Sequence, residues 1–324
     1  MHDHGHDTGP RHGHDHDHPH DHGAHHHGVG HSHAPAHFGR AFAIGTGLNV
    51  AMVVLEAIFG ILSGSVALLA DAGHNLGDVL GLVVAWVAYA LAARPPSPRY
   101  TFGWGRASIL AALFNALVTI AAAVVIAWEA AERLAHPAPL NGMIVVVIAA
   151  IGLVINGGTA WLFASGLERD LNIRGAFLHM AADAGISAGV VVSGLLIMFT
   201  GWQWLDPAVS LLICVAILWP SWGLLRDSVR LALDGVPPEI RASEVRRRLQ
   251  TLPGVADIHA LRIWAVSTRE TAMTCHLLMP AGHPGDAFIS RVARELHRDF
   301  AIGQTTLQIE TEPTTDCGGR GDPA

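Results

Sequence analysis

Six apolar stretches constrain this chain more than anything else in it. Their approximate limits are 41–62, 66–93, 106–131, 142–164, 176–200 and 204–225. A helix needs roughly 20 apolar residues to cross about 30 Å of hydrocarbon, and each stretch meets or exceeds that length. Only helices serve here, because hydrocarbon offers a backbone amide no partner and each one must be paired within its own segment. Composition agrees, with 51% of residues hydrophobic and only 15% charged. Soluble domains carry nearer a quarter of charged residues. Tryptophans 104, 128, 161, 202, 204, 219 and 222 fall near the ends of these stretches, where interfacial anchors sit.

The arginines orient the bundle. Every basic residue in the chain is Arg. Arg94, Arg99, Arg106, Arg169 and Arg174 occupy the connections between stretches 2–3 and 4–5, whereas the opposite connections hold only Arg133. By the positive-inside rule the first set is cytoplasmic, which puts both chain termini inside. The expected location is a cell's inner (plasma) membrane, spanned several times. A net charge of −7 argues against a nucleic-acid partner. Cys214, Cys275 and Cys317 lie far apart, so neither a disulfide framework nor a cysteine zinc module is expected.

Polar zones flank the apolar one. Residues 1–37 hold 15 of the 22 histidines, interleaved with Asp, Gly and Pro. Nothing there can bury a core, and the segment reads as a disordered cytoplasmic tail. Its alternation with Asp distinguishes it from a plain His run. His2, His4, His6, His12, His14, His16, His18, His20, His22, His25, His26 and His27 are its expected metal-capture residues. Residues 38–225 form the expected transmembrane transport domain, and 226–313 are Arg-rich and soluble in character. In that last zone 239–252 and 286–300 read as amphipathic helices, and 255–266, 271–279 and 305–310 as strands. The order α-β-β-α-β suits a ferredoxin-like α+β domain. About 85 residues can support such a core, and dimerisation would help it. Residues 314–324 read as a flexible tail.

The expected fold is therefore a membrane-embedded bundle of six helices followed by a cytoplasmic ferredoxin-like domain. Into this apolar frame the second stretch introduces ADAGHNLGD (70–78). A carboxylate near mid-bilayer costs roughly 2.5–3.5 kcal/mol on insertion scales and needs a partner or a watery cavity. His74 and Asp78 are four apart and share a helical face. GAFLHMAADAGIS in the fifth stretch repeats the spacing with His179 and Asp183. Asp78 lies roughly 18 Å from the outer edge, and Asp183 roughly 10 Å from the inner one. In a core of about 30 Å those depths nearly coincide. Gly73, Gly77 and Gly81 form a small-residue ridge that permits a close helix neighbour.

Two imidazoles and two carboxylates make a four-donor N₂O₂ set that suits tetrahedral Zn²⁺. The dication would offset both carboxylate charges. Emptied, the same groups take up protons, because metal ligands must be deprotonated to bind. That is the chemistry of a metal/proton exchanger. One His–Asp pair could equally be a structural link between helices, but two at equal spacing and depth favour an ion site. Asp71 precedes its histidine by three rather than following by four, so it reads as a pathway or helix-capping residue. Glu56, Asn49, Asn115 and Asn156 read as interhelical hydrogen-bonding groups.

These motifs carry a resemblance. SGSVALLADAGHNLGD (63–78), YTFGWGRASILAALFN (100–115), LNIRGAFLHMAADAGIS (171–187), LDPAVSLLI (205–213), PGVADIHALRIWAV (253–266) and TTLQIE (305–310) resemble the zinc-type cation diffusion facilitator family. The likeness covers essentially residues 38–313. It implies a homodimer that exports zinc from the cytoplasm against protons, with transport ligands at His74, Asp78, His179 and Asp183. At positions matching His259, His276, Glu310 and Glu312 some relatives bind zinc between cytoplasmic domains, so these residues read either as such a metal site or as ordinary strand-edge polar groups. Two departures stand out. Ser108 follows Arg106-Ala107 where an acidic residue is usual, and the loop ARPPSPRYTF lacks the histidines of a loop metal site.

The expected function is proton-coupled efflux of zinc by alternating access, in an antiporter and not an enzyme. Broader export of Cd²⁺, Co²⁺ or Ni²⁺ remains open, since affinity order alone does not select among these metals. An intramembrane metalloenzyme is disfavoured: such sites keep an open coordination position, and no HExxH occurs. A sensor or storage protein would not need buried acids in six spans.

Overall fold

In the computed structural model, which describes residues 40–164 and 171–312, the six apolar stretches are helices. They are α1 (Arg40–Ser63), α2 (Val66–Ala92), α3 (Ala107–Ala135), α4 (Gly142–Ala164), α5 (Leu171–Thr200) and α6 (Leu205–Ala232). α2 to α6 are each long and apolar enough to cross a bilayer, and Gly47–Ser63 adds a shorter apolar run. Three ends extend at least four residues past the expected limits, and the first is that of α3, which continues to Ala135 rather than 131. α5 begins at Leu171 rather than 176, and α6 continues to Ala232 rather than 225. Arg174 in the α5 extension and Arg226, Asp227 and Arg230 in the α6 extension end the hydropathy signal. Arginine is nonetheless a good helix former, so the helices continue beyond the apolar zone.

The end of the bundle bearing the α1–α2, α3–α4 and α5–α6 connections is tied together by polar groups. Gly64 adopts φ +72°, which favours glycine there and turns the chain between α1 and α2. Ser65 caps α2, its Oγ accepting from the Leu68 N–H at 3.1 Å. The buried Asp206 carboxylate, at the start of α6, accepts from the Ser65 hydroxyl at 2.5 Å and from the Val66 and Ala67 N–H groups at 2.7 and 3.3 Å. It thereby satisfies amides that α2 cannot pair internally, and its charge faces the positive end of the helix dipole. Arg133 on α3 donates to the Gly64 carbonyl and to Glu129.

The expected glycine ridge faces α3. A Cβ on Gly73 would meet Ile126 Cδ1 at 2.8 Å, one on Gly77 would meet Thr119 Oγ1 at 3.1 Å, and one on Gly81 would meet Asn115 Nδ2 at 3.1 Å. α4 and α5 approach as closely: a Cβ on Gly142 would lie 2.7 Å from Met198, and one on Gly194 would lie 2.8 Å from Val146. The bundle core is built from small and β-branched residues, including Ala67, Ala70, Ala123, Ala149, Val145 and Val190. Its outer surface is apolar, with Trp161 78%, Phe199 84% and Trp219 83% exposed. Such a surface suits hydrocarbon and not water.

The remaining described residues form α7 (Ala242–Gln250), β1 (Asp257–Ala265), β2 (Thr271–Leu278), α8 (Asp286–Phe300) and β3 (Ile302–Glu310). The strand order is β1-β2-β3, with β1 antiparallel and β3 parallel to β2. α8 supplies the crossover that a parallel neighbour requires. Phe288, Val292 and Leu296, four residues apart, face a core of Val245, Leu249, Ile258, Ile263, Met273, Cys275, Leu277 and Ile302. The α+β organisation agrees with the sequence expectation. β3 begins three positions earlier than the sequence pattern marks it, at Ile302, because backbone pairing with Thr271 extends past the alternating segment.

Ser108 gains meaning in this frame. Its hydroxyl donates to the Gly105 carbonyl at 2.8 Å and accepts from the Thr268 N–H at 3.0 Å. Thr268 lies in the turn between β1 and β2. A Cβ on Gly105 would sit 2.8 Å from the Val266 carbonyl oxygen, so the same contact requires glycine. Arg106 pairs with Asp234 just past α6. The lead-in to α3 is thus joined directly to the α+β domain.

Candidate metal centre

α2 and α5 run in opposite directions, so residues four apart on one face two on the other as rungs. The first rung joins His74 Nε2 and Asp183 Oδ1 at 3.0 Å. The second joins His179 Nε2 and Asp78 Oδ2 at 3.4 Å. Along each helix the partners also meet, His74 Nε2 to Asp78 Oδ2 at 3.8 Å and His179 Nε2 to Asp183 Oδ2 at 3.6 Å. The two rings stand edge-on with centroids 6.3 Å apart. Donors about 2.0–2.2 Å from a tetrahedral zinc lie roughly 3.3–3.6 Å from one another. The four nitrogen–oxygen separations straddle that range, but only His74, Asp78 and Asp183 have donor atoms that all lie within 4.8 Å of one another; His179 completes the second rung without joining that group. The equal spacing of four in antiparallel helices is what produces alternating His–Asp rungs.

The rungs differ in access. Asp183 is 3% exposed in its side chain and His74 18%, whereas Asp78 is 33% and His179 37% exposed. The open rung lies toward the end of the bundle at which α1 begins and α6 ends, and the closed rung toward the capped end. A third rung continues past the closed one: Ser187 Oγ donates to Asp71 Oδ2 at 3.3 Å. Asp71 is fully buried within α2, and Ser65 and Asp206 supply the cap of that helix. The capping alternative for Asp71 is therefore corrected: six residues into the helix, its own turn has no free amide to receive.

Glu56 on α1 is also fully buried, and its Oε2 accepts from Asn75 Nδ2 at 2.9 Å. The interhelical bond expected of it is present, but its position beside the closed rung was not legible. The available signal was general: an acid inside an apolar span marks a functional position by default. Ser187 offered no such signal.

A second group of donors lies on the sheet. His259 and His276 are register partners on β1 and β2. Glu310, at the end of β3, joins them: His276 Nδ1 is 2.8 Å from Oε1 and His259 Nε2 is 3.1 Å from Oε2. Their donor atoms fall within 4.8 Å of one another, as a metal would require. A bulge follows His259, where Ala260 takes φ +51°, and re-aims that end of the strand. Gln308 Nε2 holds Glu310 Oε1 at 2.9 Å. Glu312 is exposed and stands outside this group. The tail histidines and Cys317 lie outside the described residues.

The family model described as the cation efflux transmembrane domain matches residues 43–231, and that described as the cation efflux protein cytoplasmic domain matches 237–312. The zinc transporter ZitB of Shigella flexneri is 37% identical over 295 residues, covering 88% of this chain and 94% of that protein. ZitB of Escherichia coli (strain K12) is 36% identical over 295 residues with the same coverage of 88% and 94%. A cadmium, cobalt and zinc/H(+)-K(+) antiporter of Bacillus subtilis (strain 168) is 35% identical over 265 residues, covering 80% of this chain and 85% of that protein. With its rungs of histidine and aspartate between apolar helices and its appended α+β domain, the chain belongs to the cation efflux family, as a multi-pass membrane protein.

Proposed function

We propose that the chain exports Zn²⁺ across the inner membrane in exchange for protons, with His74, Asp78, His179 and Asp183 as the ligands of the transported ion. The observation that carries this reading is the pair of His–Asp rungs, whose separations suit one tetrahedral dication. Two carboxylates neutralise the ion, and two imidazoles complete its shell without adding charge. Release follows when protons occupy the same nitrogens and oxygens, since metal and proton compete for them. The half-exposed Asp78–His179 rung supports loading from the end at which α1 begins and α6 ends, which the arginine distribution makes cytoplasmic. The family relationship and the relatives' names for zinc transport support the same substrate.

The domain roles follow. Residues 38–225 carry the ion, and 226–313 dimerise and sense metal through His259, His276 and Glu310. The tail at 1–37 collects metal through its histidines. Cadmium and cobalt are a second substrate reading, favoured by the name of the Bacillus subtilis relative. Purified chain in proteoliposomes with an inward-directed proton gradient tests the proposal. Zinc flux that collapses in His74→Ala and in Asp183→Ala is the expected result. Undiminished flux in both would overturn the ligand assignment.

A further inference from the structure

Beyond the metal ligands, toward the capped end, three helices bring polar groups to one buried point and a fourth makes room for them. Glu56 comes from α1, Asp71 and Asn75 from α2, Ser187 from α5, and α4 contributes Gly152. A Cβ on Gly152 would lie 3.2 Å from Ser187 Oγ and 3.3 Å from Glu56 Oε1, so glycine makes the space that these side chains fill. Glu56 and Asp71 are each 0% exposed. Asn75 and Ser187 donate one bond to each of them, at 2.9 and 3.3 Å. Glu56 Oε1 and Asp71 Oδ1 remain buried without a hydrogen-bond partner among the described residues. Neither carboxyl has an Arg or a His in an ion pair with it among the described residues.

We propose that Glu56 and Asp71 form a proton site distinct from the metal ligands, the pair carrying one proton when no dication occupies the rungs and releasing it when one does. Two ionised carboxylates buried together lack both a counter-charge and enough donors, and one proton supplies a donor and removes a charge. The group offers few oxygens: two carboxyls, one amide and one hydroxyl. Hard metal cations of the calcium type take six to eight oxygens, whereas a proton needs only one. The ionisable groups facing the pair are His74 on α2 and Asp183 on α5, while α4 contains none. A dication at His74 and Asp183 would bring two positive charges beside the pair and favour loss of its proton. In charge terms, one Zn²⁺ enters, the pair goes from one proton to none, and one H⁺ leaves in addition to those displaced from the ligands.

This proposal rests on the exporter reading only for where the metal binds. Calorimetric zinc titration of the full chain in detergent, repeated in two buffers of different protonation enthalpy at one pH, counts the protons released per zinc. Glu56→Gln keeps an acceptor for Asn75, and Asp71→Asn keeps one for Ser187. Each is expected to lower the proton count by close to one while zinc still binds. An unchanged count in both variants would overturn the proposal, as would loss of zinc binding in both, which would make the pair a structural support of the rungs. Exchanging potassium for choline in the buffer separates the sources of positive charge: an unchanged count supports a proton, and a potassium-dependent one overturns it. A wild-type chain that binds no zinc would instead sink the exporter reading itself.

Discussion

The molecule carries two His/carboxylate clusters, and under the proposed function their difference separates carrying an ion from sensing one. In the membrane, two imidazoles face two carboxylates, so a dication is neutralised and the filled site is compatible with hydrocarbon. On the sheet, two imidazoles meet the carboxyl of Glu310, so the donors are two nitrogens to one carboxylate rather than two to two. The supports differ as well. The membrane rungs are shared between two separate helices, α2 and α5, whereas His259, His276 and Glu310 lie on strands of one hydrogen-bonded sheet. A site that must open alternately to two sides belongs between separable helices. One that only reports occupancy belongs on a frame that does not part.

The largest expected effect breaks the comparison at its centre. His74→Ala or Asp183→Ala should reduce proteoliposome zinc flux by about 100-fold or more, because a tetrahedral ion loses a ligand and a buried charge loses its balance. Next comes pH. Zinc affinity of the membrane rungs should fall as pH is lowered, by about tenfold per pH unit for each proton that competes with the metal. The measurement is zinc binding between pH 6 and 8 in a chain lacking residues 1–37 and carrying Glu310→Gln; a flat profile would contradict exchange of metal for protons. Third, Glu310→Gln alone should leave maximal flux intact and shift the half-maximal zinc concentration by about fivefold. A collapse of maximal flux would instead make the sheet cluster part of the carrier. The smallest effect concerns the link between the regions. Ser108→Ala removes the hydroxyl that accepts from Thr268, and should alter the half-maximal zinc concentration by less than about threefold, the worth of one modest hydrogen bond.

Much of this was legible before the structure because its signals are local. Hydropathy over 20 residues gives the helices, and a spacing of four puts His74 with Asp78 and His179 with Asp183. Alternation along 255–266 and 271–279 likewise brings His259 and His276 onto neighbouring strands. What stayed hidden depends on pairing between distant elements. Nothing local says that Asp71 meets Ser187, that Glu56 meets Asn75, or that Asp206 caps a helix more than a hundred residues away. The bulge after His259 was equally silent, since Ala260 has no intrinsic preference for the left-handed region it occupies. Ser108 read as a missing acid, and only the fold reveals its contact with the β1–β2 turn.

Export by this chain requires one ion held between α2 and α5. Anomalous diffraction at the zinc edge from crystals of the zinc-loaded chain addresses that claim directly. It predicts a peak within about 2.0–2.2 Å of a nitrogen or oxygen from each of His74, Asp78, His179 and Asp183. Density at the sheet cluster with none between the two helices would contradict it.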